Sequence, residues 1–209
     1  MEFFDAIARS IDNHSTFNLI GLEGPPYAGK TTFASNLGLE MKARSIPDPM
    51  QFEPRLAQYS KIPWPDDRPD LILERQLAFL NVEVMRCSLA VDLKNFGYPV
   101  IMDRTLISLL AYLYVRVKLR PYQSEVLDLY LGHCHSALKA ETLVIPEKFY
   151  YLQTPTEECV TRSQRAIREG NRGCDDTYII ARDTVDALHD FYRGVFSRIK
   201  PCRVTYITG

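Results

Sequence analysis

Gly24-Pro25-Pro26-Tyr27-Ala28-Gly29-Lys30-Thr31 sets two glycines, a lysine and a hydroxyl residue at the spacing G-x-x-x-x-G-K-S/T. Glycines at these positions let the backbone turn its N–H groups inward around phosphate oxygens, and a helix that starts there adds its free N–H groups and dipole. Lys30 supplies a mobile positive charge, and Thr31 a hydroxyl suited to a Mg2+ ion that bridges the outer phosphates. Gly24, Tyr27, Ala28, Gly29, Lys30, Thr31 and Thr32 are therefore candidate nucleotide-binding residues. A Gly/Pro turn can match the same pattern by chance, so the flanks decide. Residues 16–22 are short, apolar and rich in β-formers, and residues 32–41 read as helix, which is the strand-then-helix setting a phosphate site requires.

Asp103-Arg104 follows the apolar run Val100-Ile101-Met102, a predicted buried strand, and so falls at the carboxyl edge of a sheet, where ligands collect. An acid there can hold Mg2+ or its water, and an arginine there can bind a transferring phosphoryl group. Arg162, Arg165, Arg168 and Arg172 recur every three or four residues along one helix face that runs into a Gly/Asn loop. Such a stripe can close over phosphates as a lid covering about residues 162–176. It can equally be a solvated face, because Glu158 and Glu169 stand at ion-pair spacing from Arg162 and Arg165. Glu53, before Pro54, is the candidate general base for an acceptor hydroxyl. His133-Cys134-His135 does not read as a metal site, since residues i and i+2 point to different sides of a helix.

The elements that must position these residues alternate. Residues 2–13 carry Phe3, Phe4, Ile7 and Ile11 at helical spacing. A second strand in 43–54 is punctuated by three prolines and is expected to end at Glu53, and 54–69 reads as an ordered loop bordering the acceptor pocket. A long helix is predicted over 71–96, two more over 106–119 and 121–140, a strand over 148–153, helices over 156–168 and 177–199, and a last strand over 203–208. Strands alternating with helices imply an α/β fold around a mostly parallel sheet.

The 209 residues suit one domain, 1–209. Lys and Arg number 25 against 26 Asp and Glu, so no whole-surface charge attracts nucleic acid or an anionic membrane, and phosphate binding must be local. Five widely spaced cysteines with no C-x-x-C pair suit reduced thiols. The first residues lack a basic, apolar leader, and the longest apolar run is too short to span a bilayer, which together point to the cytoplasm.

Taken in order, these motifs resemble the deoxynucleoside kinase and thymidylate kinase superfamily. Leu22-Glu23-Gly24 leading into Gly29-Lys30-Thr31 is similar to its opening E-G-x-x-x-x-G-K-S/T, Phe52-Glu53-Pro54 to its second-strand E-P, and Asp103-Arg104-Thr105 to its D/E-R-S/Y. Tyr151-Leu152-Gln153-Thr154-Pro155 with Arg162, Arg165 and Arg168 is similar to its strand-then-lid segment. The resemblance implies a P-loop NTPase three-layer sandwich with a five-stranded parallel sheet and an arginine-bearing lid. It also implies ATP with Mg2+, held in part by Thr31 and Asp103, and transfer of the γ-phosphoryl group to a nucleoside or nucleoside monophosphate. In the deoxynucleoside branch that acceptor is the 5′-hydroxyl of a nucleoside, with Glu53 as base, Arg104 steadying it and Gln76 reading the base edge. The alternatives are a nucleoside monophosphate kinase, a kinase of a non-nucleoside hydroxyl, and an ATP-sensing binding module without turnover. A homodimer is compatible with each. In the thymidylate branch an acceptor-phosphate arginine falls near Glu83, where the nearest ones here are Arg75 and Arg86; Pro26 and Tyr27 depart from the small or polar residues usual in the loop.

Overall fold

A computed structural model describes residues 2–13, 15–61, 68–119, 124–170 and 181–208. Five strands form one sheet: β1 (Ser15–Glu23), β2 (Arg44–Ile46), β3 (Val100–Asp103), β4 (Ile145–Leu152) and β5 (Val204–Ile207), in the order β2-β3-β1-β4-β5. Every pairing is parallel, so all five carboxyl ends open on one edge. Register then brings the strand ends level: Leu22 of β1 lies opposite Asp103 of β3, and Glu23 opposite Tyr151 of β4.

Helices cover both faces: α1 (Glu2–Asn13), α2 (Lys30–Met41), α3 (Pro49–Phe52), α4 (Pro69–Asn95), α5 (Leu106–Leu119), α6 (Ser124–Lys139), α7 (Thr156–Arg168) and α8 (Arg182–Phe196). The period-two alternation of the central strands decides which side chain meets which layer. Ile20, Leu22 and Ile101 pack with Ala34 of α2, whereas Leu19, Val100, Met102, Phe149 and Tyr151 join the larger core with α1, α4, α5, α6 and α8. On α8, Leu188, Phe191, Tyr192 and Val195 are all fully buried at 0% exposure, each contributing about 1.5–3 kcal/mol of apolar burial. Gly21 is the tight point of β1: a Cβ there would stand 2.9 Å from both Phe149 and Thr105, so the glycine lets the start of α5 close onto the sheet.

The sheet meets the five-stranded parallel expectation; several boundaries differ. The second strand is three residues long and stops at Ile46, because Pro47 and Pro49 deny it further ladder donors. Glu53 is thus not on a strand end but comes after the single turn of α3, and Pro54–Lys61 is a 3-10 turn rather than irregular loop. α4 starts two residues earlier than expected, with Pro69 in its first turn, where its missing N–H does no harm. β4 starts at Ile145 rather than 148, since Pro146 is tolerated next to the bulged start of β1. Residues 62–67, 120–123 and 171–180 lie outside the described residues, and with them Trp64, Pro121, Arg172 and much of the expected lid. Among the described residues no helix is long and apolar enough to cross a membrane.

Candidate active site

The loop from Gly24 to Gly29 leaves β1 and enters α2 through two glycines with positive φ, 145° at Gly24 and 91° at Gly29. At Gly24 a Cβ would meet the carbonyl oxygen of Leu152 at 2.8 Å, so only glycine fits there. Tyr27 takes φ 60°, a left-handed conformation that a bulky residue adopts only under constraint. Lys30 curls back over the loop: its Nζ donates to the carbonyls of Gly24 at 2.9 Å and Pro25 at 2.7 Å. Burial pulls the Lys30 ammonium down to about 7, with Arg104 acting in the same direction against Asp103 and Glu23.

Thr31, one residue into α2, donates its hydroxyl to Asp103 Oδ2 at 2.8 Å, tying the phosphate loop to the end of β3. Asp103 is 2% exposed, and its Oδ1 has no hydrogen-bond partner. Arg104 turns the corner at φ 64°, its N–H donating to the Leu22 carbonyl at 3.0 Å. Two buried groups hold that strained corner. Arg86 of α4 donates through Nη2 to the carbonyls of Asp103 at 2.8 Å and Arg104 at 2.9 Å. Glu23 accepts from the Thr105 N–H at 3.0 Å and the Thr105 hydroxyl at 2.6 Å, and also from the Ser108 hydroxyl. Burial raises the Glu23 carboxyl to about 7 despite these bonds and the Lys30 charge.

Arg86 is paired with Glu83, both at 0% side-chain exposure. Breaking a buried pair strands a charge, so Arg86→Met alone is expected to destabilise the fold by about 3–5 kcal/mol. The joint replacement Glu83→Leu with Arg86→Met is expected to recover only part of that loss in urea unfolding, because it removes the stranded charge but still leaves the Asp103 and Arg104 carbonyls without the Arg86 donor.

The carboxyl edge of the sheet holds a cavity of about 720 Å³, within the range of nucleotide-sized sites. The loop residues from Pro26 to Thr32, with Asp103, Arg104, Arg162 and Arg165, face it together. Arg162 donates to the Tyr27 carbonyl at 3.1 Å and also pairs with Glu158, as the ion-pair spacing led one to expect. Arg104 donates to the Tyr112 hydroxyl at 2.6 Å; burial pushes its guanidinium down, but Tyr112, Asp48 and Tyr192 more than offset this and hold it charged.

Three expected site residues stand elsewhere. Glu53 does not line the cavity: its carboxylate accepts from Arg55 Nε at 2.8 Å and Nη2 at 2.7 Å, and those bonds pull it down to about 2. Gln76 is buried on α4, at 5% exposure, and Arg168 bonds its own helix through the Gln164 carbonyl at 3.4 Å; neither lines the cavity. Asp48 and Gln51 do line it, and the motif spacing singles out neither. Asp48 caps α3, its Oδ1 accepting from the N–H groups of Met50 at 2.9 Å and Gln51 at 3.0 Å. The available signal was Asp48-Pro49 itself, an acid–proline pair nearer the strand than Glu53-Pro54. Among the described residues lining the cavity, Asp48 and Asp103 are the acids.

No family model matches the chain, and no curated protein matches it. Solved structures do. Deoxyadenosine kinase from M. mycoides with bound dCTP is 18% identical, with TM-score 0.64, over 91% of this chain and 89% of that one. The same enzyme with products dCMP and a flexible dCDP gives TM-score 0.65 at 18% identity, with the same coverage. With bound dATP it gives TM-score 0.63 at 16% identity, over 91% of this chain and 90% of that one. The chain shares the overall fold of these deoxyadenosine kinase structures. Here the Gly24–Thr31 loop, the Asp103-Arg104 corner, Arg162 and Arg165 stand together at the carboxyl edge of one sheet.

Proposed function

We propose that this protein is an ATP-dependent phosphotransferase that moves the γ-phosphoryl group of ATP to the 5′-hydroxyl of a nucleoside or deoxynucleoside. The observation that carries the reading is the 2.8 Å bond from Thr31 to Asp103, which joins the phosphate loop to an acid whose other oxygen is buried and unpartnered, across the cavity that Asp48 also lines. A hydroxyl and a carboxylate with a spare oxygen are hard oxygen donors of the kind Mg2+ takes, so Thr31 and Asp103 would hold that ion. Bound there, it supplies charge neutralisation between the outer phosphates.

The chain's own residues do the rest. The loop amides and Lys30 bind and orient the phosphates. Arg104, Arg162 and Arg165 bring positive charge to the transferring group, which is mainly electrostatic work. Asp48 takes the proton of the acceptor hydroxyl as the acceptor oxygen bonds to the γ-phosphorus, the bridging P–O bond breaks, and ADP leaves. The sequence assigned that proton to Glu53; Asp48 takes its place because it faces the cavity and Glu53 is held by Arg55. A monophosphate acceptor would need a further cation from α4, and Arg86 there is committed to the carbonyls of the corner.

ADP release measured over a panel of nucleosides, their monophosphates and unrelated alcohols tests the reading. Stimulation by nucleosides above the other two classes is expected. Tight ATP binding with no stimulation by any acceptor would favour a sensing module instead.

A further inference from the structure

The phosphate loop of this chain is short of donors. Pro25 and Pro26 have no N–H, and the Ala28 N–H is turned back to the Pro25 carbonyl at 3.3 Å. The peptide between Ala28 and Gly29 is therefore important, since its N–H is one of the few left before the first turn of α2. A trans peptide points its C=O and N–H in opposite directions, so whatever grips the Ala28 carbonyl also aims the Gly29 N–H.

That grip comes from outside the loop. Thr154, just beyond β4 and 3% exposed, donates its hydroxyl to the Ala28 carbonyl at 3.0 Å. The Thr154 carbonyl lies 3.1 Å from Nε2 of His189 on α8, and His189 Nδ1 lies 2.6 Å from the Tyr151 hydroxyl. A carbonyl only accepts, so Nε2 carries the ring proton. Burial holds the ring neutral, with Arg193 acting the same way against Asp186 and Asp190 on the same helix. Nδ1 then accepts, and Tyr151 of β4 donates to it. The chain runs from Tyr151 to His189, to Thr154, to Ala28, with every donor and acceptor matched. It links the body of the sheet and α8 to one peptide of the phosphate loop.

We propose that Thr154 is a positioning residue, braced by His189, that fixes the Ala28–Gly29 peptide so that the Gly29 N–H faces the bound phosphate. This rests on the reading of the loop as a nucleotide site, but not on any acceptor or on turnover. The isosteric change Thr154→Val removes only the donor and keeps the packing; Thr154→Ser keeps the donor.

Titration calorimetry with ATP and Mg2+, on variants shown to be folded by thermal unfolding, tests it. Thr154→Val is expected to weaken ATP binding roughly tenfold, the effect of about one hydrogen bond. Thr154→Ser is expected to stay within about twofold of wild type, and His189→Leu to weaken binding by roughly threefold, because it loosens Thr154 without removing its hydroxyl. A Thr154→Val variant that unfolds at lower temperature yet binds ATP as tightly as wild type would overturn the proposal, since the bond would then be structural only. A Ser variant as weak as the Val variant would overturn it too. Wild-type protein that fails to bind ATP would remove the nucleotide reading itself, and this proposal with it.

Discussion

Lys30→Ala is expected to abolish phosphotransfer while leaving the sheet folded. In the proposed reading Lys30 is the cationic side chain that the loop turns toward the phosphates, and at 6% exposure it acts where water screens little. Its Nζ now satisfies the Gly24 and Pro25 carbonyls, so truncation leaves two acceptors without that donor and costs about 1–3 kcal/mol of stability. That is a fraction of what a domain of this size holds. Loss of a preorganised charge aimed at the transferring group costs far more in rate, about 10²–10³-fold or beyond. Calorimetric ATP binding, ADP release and circular dichroism on the same sample separate the two effects. A folded variant that turns over normally would contradict the role given to Lys30.

Asp48→Asn and Glu53→Gln make the second large contrast. Asparagine caps a helix as well as aspartate, so α3 and its bonds to Met50 and Gln51 survive the first change with little shift in unfolding temperature. The capacity to take a proton disappears, and a positioned general base contributes about 10²–10⁴-fold. The expected result is a fall in kcat of that order with the KM for ATP little changed. Glu53→Gln breaks a pair with Arg55, whose side chain is 86% exposed, and touches nothing in the cavity, so its rate is expected to stay within about threefold of wild type. Steady-state kinetics on the two variants decide which carboxylate serves. A large loss in Glu53→Gln with Asp48→Asn unaffected would reverse the assignment.

The features that were legible in the sequence are local ones. The phosphate loop is contiguous, and the strand before it and helix after it carry their own periodicity, so its place in the fold came from residues 16–41 alone. Asp103-Arg104 was equally readable, because the buried strand Val100–Asp103 ends on it. The second strand was not. It is three residues long, two acid–proline pairs come after it, and nothing in composition says which acid stays at the sheet edge; in three dimensions Asp48 lines the cavity and Glu53 does not. In the sequence Arg86 stands out only as an arginine near the acceptor-phosphate position at Glu83, and its reach to carbonyls 17 and 18 residues away is a tertiary fact. Thr154 lies in the Tyr151–Pro155 motif, but His189, 35 residues on, lies in none, so only the packing of α8 on β4 brings the two together. Pro25 and Pro26, which stand between the loop glycines, gain their meaning from that contact: they remove donors that Thr154 makes up for by orienting one that remains.

The most direct test is transfer of radiolabel from the γ-phosphoryl group of ATP to a deoxynucleoside, with the product separated and identified. Label recovered on the 5′-oxygen of a nucleoside monophosphate, and lost with Lys30→Ala, is the predicted result. Label that stays in ATP or appears only as inorganic phosphate with every nucleoside offered would contradict the account.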